Sequence, residues 1–347
     1  MNSNPFSLVF GKEPTQMISR IVQTEEIVNC FNAGNPPQQA YIITGIRGVG
    51  KTVLMTNIAN RFRKQNDWVV IELNSSSELL KDLAAKLYNE KGLSSLFQAA
   101  GIDLSFFGIG INIKKVEPIT DLETAIVRML KKLKEKNKRL LITIDEVSNS
   151  KEMRVFAGAF QIFVRQELPI FLLMTGLYEN INSLQNEKNL TFLYRAPKQY
   201  LKSLNLTSVA RDYKNIFNLG DSESHEMAKL TAGYPFAFQV LGYHTFEHKG
   251  DYKAAIDDAR QYLDEYAYDK IWMELSETEK KIVALIAKEK VSSVKDIKER
   301  LNLPANAFSV FRDRLIKKGV VNGDRRGYLQ LTLPFFDEYI DIHTEEY

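Results

Sequence analysis

One glycine-rich segment of the sequence combines the residue types that bind phosphate groups. Residues 45–52 read Gly-Ile-Arg-Gly-Val-Gly-Lys-Thr, the pattern G-x-x-x-x-G-K-T known as Walker A. Its glycines let the backbone wrap closely around phosphates, with the amide groups as hydrogen-bond donors. Lys51 would reach the β- and γ-phosphates, and the hydroxyl of Thr52 would bind Mg2+. The segment therefore predicts a site for a nucleoside triphosphate with magnesium, and we expect ATP/ADP there.

An acidic pair follows a strongly apolar run further along the chain. Residues 139–147 read RLLITIDEV, which is typical of a buried parallel strand that ends at Asp145. Asp145 would hold the magnesium through its water shell, and Glu146 would orient and polarise the attacking water. An acidic pair can also simply begin a helix, where it complements the helix dipole. Together with the glycine-rich segment upstream, the pair predicts a hydrolysis site.

These side chains need a sheet that brings the ends of several strands together. Apolar runs at 41–44, 68–73, 139–145 and 169–177 predict strands, and helical spacing separates each strand from the next. The glycine-rich loop then lies between a strand and a helix, where the positive end of the helix dipole favours phosphate. The alternation predicts an α/β fold, a P-loop NTPase with a doubly wound parallel sheet.

The order of the motifs is more informative than any one of them. TGIRGVGKT, LLITIDEV, LLMTGL, FLYRA and GYP follow one another, and in this order they resemble the archaeal-type ATPases. These are prokaryotic relatives of the STAND and origin-recognition branches of the AAA+ superfamily. The resemblance implies a P-loop AAA+ ATPase core over 1–205, a helical lid over 206–272 and a winged-helix domain over 273–347.

The resemblance also implies roles for three more residues. Thr175 ends the strand expected beside Asp145, near the γ-phosphate, at the position called sensor 1. Arg195 stands where such ATPases carry an arginine that stabilises the transferring phosphate, in cis or in trans, although a structural arginine would leave the same pattern. Pro235 opens a helix in the Gly-Tyr-Pro turn, which would approach the nucleotide. A plain helix start explains the same turn without ligand contact.

The predicted site residues fall into three groups. The catalytic residues are Lys51, Glu146, Thr175 and Arg195. The magnesium ligands are Thr52 and Asp145. The nucleotide-binding residues are Gly45, Ile46, Arg47, Gly48, Val49, Gly50, Lys51, Thr52, Val53 and Pro235.

The C-terminal segment predicts a winged helix by its own pattern. Three helical stretches precede two short strands, which flank a turn that reads Gly-Asp-Arg-Arg-Gly. Residues 276–331 carry thirteen basic and seven acidic side chains, so their net charge is +6, whereas the whole chain has +3. Arg325 and Arg326 would lie at the tip of the wing. Residues 304–326 could therefore contact double-stranded DNA, or the winged helix could pack on protein instead.

Composition limits the class of protein. With 44% hydrophobic and 26% charged residues among 347, the chain can form two or three globular domains. No apolar run approaches the ~20 residues of a membrane helix, and the N-terminus lacks the pattern of a signal peptide. We therefore expect a cytoplasmic protein with no membrane contact. The single cysteine, Cys30, has no partner for an internal disulfide and is expected to be a buried structural thiol.

Residues 101–116, GIDLSFFGIGINIKKV, have no role in this scheme. Their apolar residues alternate on two arms around Phe107-Gly108, which predicts a β-hairpin with one apolar face. The hairpin would be an arm for a partner or a cover for the body of the ATPase.

Two functions fit the sequence. The first is a slow ATP-hydrolysing switch whose winged helix binds DNA. The second is a STAND-like regulatory ATPase whose winged helix contacts protein, either in a homo-oligomer or with another partner. A chaperone-like remodeller ranks below both, because no aromatic pore-loop motif follows the second predicted strand.

Overall fold

The structure is a computed structural model, and it describes residues 3–9, 15–110, 117–188, 190–290 and 292–344. The chain divides into two units. The first consists of residues 20–44 and 52–199, and the second consists of residues 1–19, 45–51 and 200–347. The glycine-rich loop thus groups with the C-terminal half of the chain. The three-domain division made from the sequence is a different partition, and it stays a prediction.

Strands and helices alternate through the first half of the chain, as the sequence predicts. In chain order the elements are α1 (Ile21–Asn32), β1 (Ala40–Thr44), α2 (Lys51–Arg63), β2 (Trp68–Asn74), α3 (Leu79–Asn89), α4 (Ser94–Ala99), α5 (Leu122–Glu135), β3 (Arg139–Asp145), α6 (Lys151–Arg165), β4 (Ile170–Gly176), α7 (Tyr178–Gln185), α8 (Thr191–Tyr194) and β5 (Lys198–Tyr200). Side-chain caps fix two of the helix starts. Asp121 accepts a hydrogen bond from the amide of Thr124, and Ser150 accepts one from the amide of Met153.

The five strands form one sheet in the order β2-β3-β4-β1-β5, and β1 to β4 pair in parallel. Every residue of β1 and of β4 is buried, as expected for central strands that helices cover on both faces. Strand β4 lies between β1, which leads into the glycine-rich loop, and β3, which ends at Asp145. Because parallel strands end at the same edge of a sheet, this order gathers the candidate residues there.

Two predictions about this unit are wrong. Residues 101–110 contain a 3-10 turn at Ser105–Phe107 and no strand, so the first arm of the predicted hairpin does not form. The reason is Asp103, which is fully buried and accepts a hydrogen bond from the amide of Ser105 at 2.8 Å, an arrangement that starts a turn. The second arm, 111–116, lies outside the described residues.

The second wrong prediction concerns Cys30, which was expected to be buried. It is half-buried, and its thiol contacts the carbonyl of Gln38 at 3.7 Å.

The second half of the chain is mostly helical. Its elements are α9 (Leu206–Phe217), α10 (Asp221–Leu230), α11 (Pro235–Glu247), α12 (Ile256–Leu263), α13 (Asp269–Met273), α14 (Glu277–Glu289), β6 (Ser292–Ser293), α15 (Val294–Arg300), α16 (Ala305–Lys318), β7 (Val321–Asn322), β8 (Tyr328–Leu331) and α17 (Phe336–Thr344), with a π-helical turn at Asp264–Tyr268. Pro235 takes the first position of α11, where its missing amide costs no hydrogen bond.

Residues 276–344 form three helices, a small antiparallel sheet in the order β6-β8-β7, and the terminal helix α17. Ser276 and Glu279 begin α14 with a reciprocal capping box, as their spacing predicts. Phe308 and Leu315 of α16 are buried, whereas Asn306 and Ser309 are exposed. The winged-helix assignment stays a prediction. Among the described residues, no helix is long and apolar enough to cross a membrane.

Candidate active site

The glycine-rich loop has an open set of hydrogen-bond donors. Gly45, Gly48 and Gly50 adopt positive φ angles of 149°, 70° and 89°, which side chains with a Cβ rarely adopt. Within the described part of the chain, the amides of Gly48 and Gly50 donate to no other residue. Helix α2 begins at Lys51, directly after the loop. The loop therefore presents unpaired amides beside a helix N-terminus, which is how proteins bind phosphate groups.

Lys51 lies against the loop that it follows. Its ammonium group donates to the carbonyls of Gly45 and Ile46, both at 3.0 Å. The charge is thus held at the loop itself, where a bound triphosphate would need it.

Thr52 and Asp145 form a contact that suits a magnesium ion. The hydroxyl of Thr52 donates to Oδ2 of Asp145 at 2.8 Å. Hydroxyl and carboxylate oxygens are the ligands that Mg2+ prefers, and P-loop proteins use one of each together with nucleotide phosphates and water. The described residues contain no cluster of three or more His, Cys, Asp or Glu side chains suited to a metal. A P-loop magnesium site needs no such cluster, so these two residues fit the ion.

Thr175 joins the end of β4 to the acidic pair. Its side chain is fully buried, its hydroxyl donates to Oδ1 of Asp145, and it accepts a hydrogen bond from the amide of Glu146 at 3.1 Å. The position beside Asp145 is the one expected from the sequence, since Ile144 pairs with Met174 one residue earlier on each strand. One hydroxyl thus holds both a candidate magnesium ligand and the backbone of the candidate base.

Glu146 has a strained backbone. Its φ is +51°, an angle that costs a residue with a side chain on the order of 1–3 kcal/mol and that is found preferentially at functional sites. Its carboxylate is exposed. The neighbouring contacts over-determine this conformation, because the Glu146 amide is bound by Thr175 and the Val147 amide donates to the Thr175 carbonyl at 2.9 Å. The strain directs an acidic side chain away from the sheet and into solvent.

Arg195 is set apart from this cluster. It follows α8 as an exposed residue, and its guanidinium makes no hydrogen bond or ion pair with a described residue. The structure therefore places Thr52, Asp145, Glu146 and Thr175 together, and shows no contact that brings Arg195 to them.

Sequence reasoning missed Tyr234. It caps α11 just before Pro235, and its buried hydroxyl donates to the carbonyl of Arg47 in the glycine-rich loop at 2.7 Å. The guanidinium of Arg47 also pairs with Glu274, with Nε and Oε1 2.6 Å apart. In the sequence, only the glycine and proline of the Gly-Tyr-Pro turn indicate a structure, since the partner of the tyrosine hydroxyl lies 187 positions away in the chain.

Two family models match the chain. Residues 24–192 match a family described as an ATPase domain predominantly from Archaea. Residues 265–340 match a domain of unknown function, DUF8462. No curated protein matches the chain. The segment with the Walker A and Asp145-Glu146 motifs is therefore an archaeal-type P-loop ATPase domain. This match confirms the resemblance seen in the sequence and the expected ATPase activity.

Solved structures share the fold over nearly the whole chain. The Walker-type ATPase PABY2304 of Pyrococcus abyssi is 17% identical, with a TM-score of 0.61 over 94% of this chain and 96% of its own. The ORC2 protein of Aeropyrum pernix, solved in ADPNP and ADP complexes, is 14% identical, with a TM-score of 0.58 over 97% of each chain. Cdc6p from Pyrobaculum aerophilum is 12% identical, with a TM-score of 0.50 over 100% and 98%.

Proposed function

We propose that this chain is a magnesium-dependent ATP-hydrolysing switch, with the nucleotide phosphates on the loop from Gly45 to Thr52. The observation that carries the proposal is the cluster of Thr52, Asp145, Glu146 and Thr175 at one edge of the sheet. Bound Mg2+ would neutralise charge on the β- and γ-phosphates. Thr52 and Asp145 would hold the ion, and Lys51 would bind the same phosphates directly.

Glu146 is the proposed general base. Its exposed carboxylate would accept a hydrogen bond from the attacking water and orient the oxygen toward the γ-phosphorus. Thr175 would hold Glu146 in place through the amide and keep Asp145 oriented toward Thr52. Arg195 is exposed, and we propose that it stabilises the transferring phosphate, either of its own site or of a neighbouring copy.

The test of hydrolysis compares Glu146, which precedes α6, with Glu152 in the first turn of that helix. Glu146→Gln should bind MgATP as tightly as the natural protein and lose at least about a hundredfold in kcat, because the amide cannot take a proton. Glu152→Gln, an exposed glutamate in the first turn of α6, should keep normal turnover. Normal turnover by Glu146→Gln would remove it from the mechanism. Failure of the natural protein to bind MgATP would defeat the whole proposal.

A second candidate function is DNA binding through residues 304–326, and the exposed Arg325 and Arg326 favour it. They lie in the turn between β7 and β8, and Asn306 and Ser309 are exposed on α16. The net charge of +6 for residues 276–331 already subtracts the acidic partners of five basic residues that are ion-paired in the described chain, which are Lys280, Lys295, Arg300, Lys317 and Lys318. Lys290 pairs with Asp337, which lies outside the segment, so counting this partner lowers the net charge only to +5.

Duplex binding at two salt concentrations distinguishes DNA from a protein partner. If both arginines contact phosphates, replacing Arg325 and Arg326 by alanine should reduce the slope of log K against log salt by about 2. Lys288→Ala, an exposed lysine on α14 outside this region, is the control and should leave the slope unchanged. Absence of duplex binding at low salt would exclude the DNA function and leave a regulatory ATPase with a protein partner.

A further inference from the structure

Within the unit that includes residues 45–51 and 200–347, the glycine-rich loop contacts the turn before α11. The hydroxyl of Tyr234 donates to the carbonyl of Arg47 across 187 positions of sequence, at 2.7 Å. The side chains of Tyr234 and of Phe236, at the start of α11, also fill the space beside Gly48. A Cβ at residue 48 would lie 2.9 Å from Cζ of Tyr234 and 2.8 Å from Cβ of Phe236, closer than real contacts allow. The loop and the turn are therefore fitted to one another.

Tyr234 uses a loop group that a phosphate cannot use. Phosphate oxygens accept hydrogen bonds, so they bind the loop amides and leave the carbonyls alone. The carbonyl of Arg47 and the amide of Gly48 belong to one peptide unit. A donor on the carbonyl polarises that unit and makes the Gly48 amide a stronger donor. The tyrosine thus favours phosphate binding instead of competing with it.

The turn that carries Tyr234 is itself held in place. The amide of Gly233 donates to the side chain of Thr231 at 3.1 Å, and the amide of Tyr234 donates to the Thr231 carbonyl at 2.8 Å. The carbonyl of Gly233 accepts from the amide of Leu204 at 2.7 Å. Burial raises the pKa of Tyr234, so the phenol keeps its proton at neutral pH and stays a donor.

The contact between Arg47 and Glu274 is a weaker tie to the same loop. Its side chains are 40% and 36% exposed, and pairs exposed to that extent contribute little because water screens them. The hydroxyl of Tyr234 is buried, so its hydrogen bond decides the loop geometry more strongly than the ion pair does.

We infer that Tyr234 is a positioning residue for the ATPase reaction, which holds the phosphate loop in its binding conformation through the Arg47 carbonyl. The inference rests on the proposed function of the loop. The residue touches no reacting atom, so its loss should affect nucleotide binding more than turnover at saturation.

Tyr213 provides a matched control for the test. It is fully buried in the same unit, and its hydroxyl donates to a backbone carbonyl, that of Phe238, at the same distance of 2.7 Å. Tyr213→Phe therefore removes the same kind of bond away from the loop. Both variants should lose similar stability, which urea unfolding will measure.

The expected result is a split between the two variants. Tyr234→Phe should weaken MgADP binding, measured by titration calorimetry, about fivefold to tenfold and raise the KM for ATP similarly, with kcat within about twofold. Tyr213→Phe should leave both constants unchanged. Glu274→Gln should change MgADP affinity by less than about threefold.

Two outcomes separate the inference from the proposed function. If the natural protein binds MgADP and Tyr234→Phe binds it as Tyr213→Phe does, Tyr234 has only a structural role and the inference is wrong. If the natural protein binds neither MgADP nor MgATP, the proposed function fails first. Gly48→Ala gives an independent reading, because it should weaken MgADP binding by at least tenfold while Tyr234 is intact. Affinity unchanged by Gly48→Ala would also overturn the inference.

Discussion

Replacing Thr175 by valine removes one hydroxyl and leaves the shape of the side chain nearly unchanged. The hydroxyl makes two hydrogen bonds, one to the carboxylate of Asp145 and one from the amide of Glu146. A hydrogen bond to a charged group contributes about 1.5–3 kcal/mol and a neutral one about 0.5–1.5 kcal/mol. The Glu146 amide keeps a second acceptor in Asp145, at 3.1 Å, which lowers the cost. We expect Thr175→Val to destabilise the protein by about 2–3 kcal/mol.

Thr44 supplies the control for this substitution. It ends the neighbouring strand β1, pairs with Gly176 in the sheet and is as fully buried as Thr175. Its hydroxyl has no hydrogen-bond partner within the described part of the chain. Removing an unpaired buried hydroxyl relieves a desolvation cost, so Thr44→Val should be neutral or stabilise by up to about 1 kcal/mol.

Urea unfolding followed by tryptophan fluorescence will measure the difference. Trp68 lies on β2 of the same sheet, and a Trp272→Phe background leaves Trp68 as the only tryptophan in the chain. With an m value of about 2–3 kcal/mol per molar urea, Thr175→Val should lower the midpoint by about 1 M. The kcat for ATP should fall by about tenfold to a hundredfold as Glu146 loses its support.

The comparison refutes the reasoning if the two threonines behave alike. Equal midpoints for Thr175→Val and Thr44→Val would mean that the hydroxyl bonds of Thr175 carry no stability. If Thr175→Val lowers the urea midpoint as expected but leaves kcat unchanged, Thr175 stabilises the fold and does not position Glu146 for hydrolysis.

Two further predictions concern the C-terminal half. Lys318→Met should lower the free energy of unfolding by about 3 kcal/mol, because it leaves the carboxylate of Glu279, which is 1% exposed, without its cation. The control Lys317→Met breaks an exposed ion pair with Asp313 and should lower it by less than about 0.5 kcal/mol. Urea unfolding measures both. Burial lowers the pKa of His244, although Asp258 partly opposes the shift. The folded state thus binds the proton less readily than the unfolded chain, so stability should fall as pH drops below about 6.5, and His244→Gln should reduce the urea-midpoint difference between pH 7.5 and pH 5.5. A midpoint difference as large in His244→Gln as in the natural protein would assign the pH dependence to other groups.

The sequence predicted the residues of the sheet edge because local patterns determine them. The loop from Gly45 to Thr52 and the strand that ends at Asp145 are each contiguous, so residue type and periodicity suffice. Thr175 required one more step, the order of the strands in the sheet, and the resemblance to the archaeal-type ATPases supplied it. Each of these inferences needed at most a neighbouring strand.

Features that depend on contacts between distant residues, or on side chains that bond their own backbone, were missed or wrongly predicted. Tyr234 meets Arg47 only after the chain has folded, so no spacing could indicate it. The alternation of residues 101–116 suggested strands, but the buried carboxylate of Asp103 bonds its own backbone and starts a turn there. The net charge of residues 276–331 left out one partner, Asp337, which lies beyond the segment and pairs with Lys290.

The place of β4 in the sheet explains why this chemistry can be assembled at all. With β4 between β1 and β3, Met174 pairs with Ile144, so the next residues on the two strands, Thr175 and Asp145, lie level with one another. From there its side chain bonds the Asp145 carboxylate and the Glu146 amide, and its carbonyl bonds the next amide. A strand without a hydroxyl at this position could fill the sheet equally well. It would leave the positive φ of Glu146 to relax toward ordinary backbone and turn the proposed base away from its position beside Asp145 at the end of the sheet.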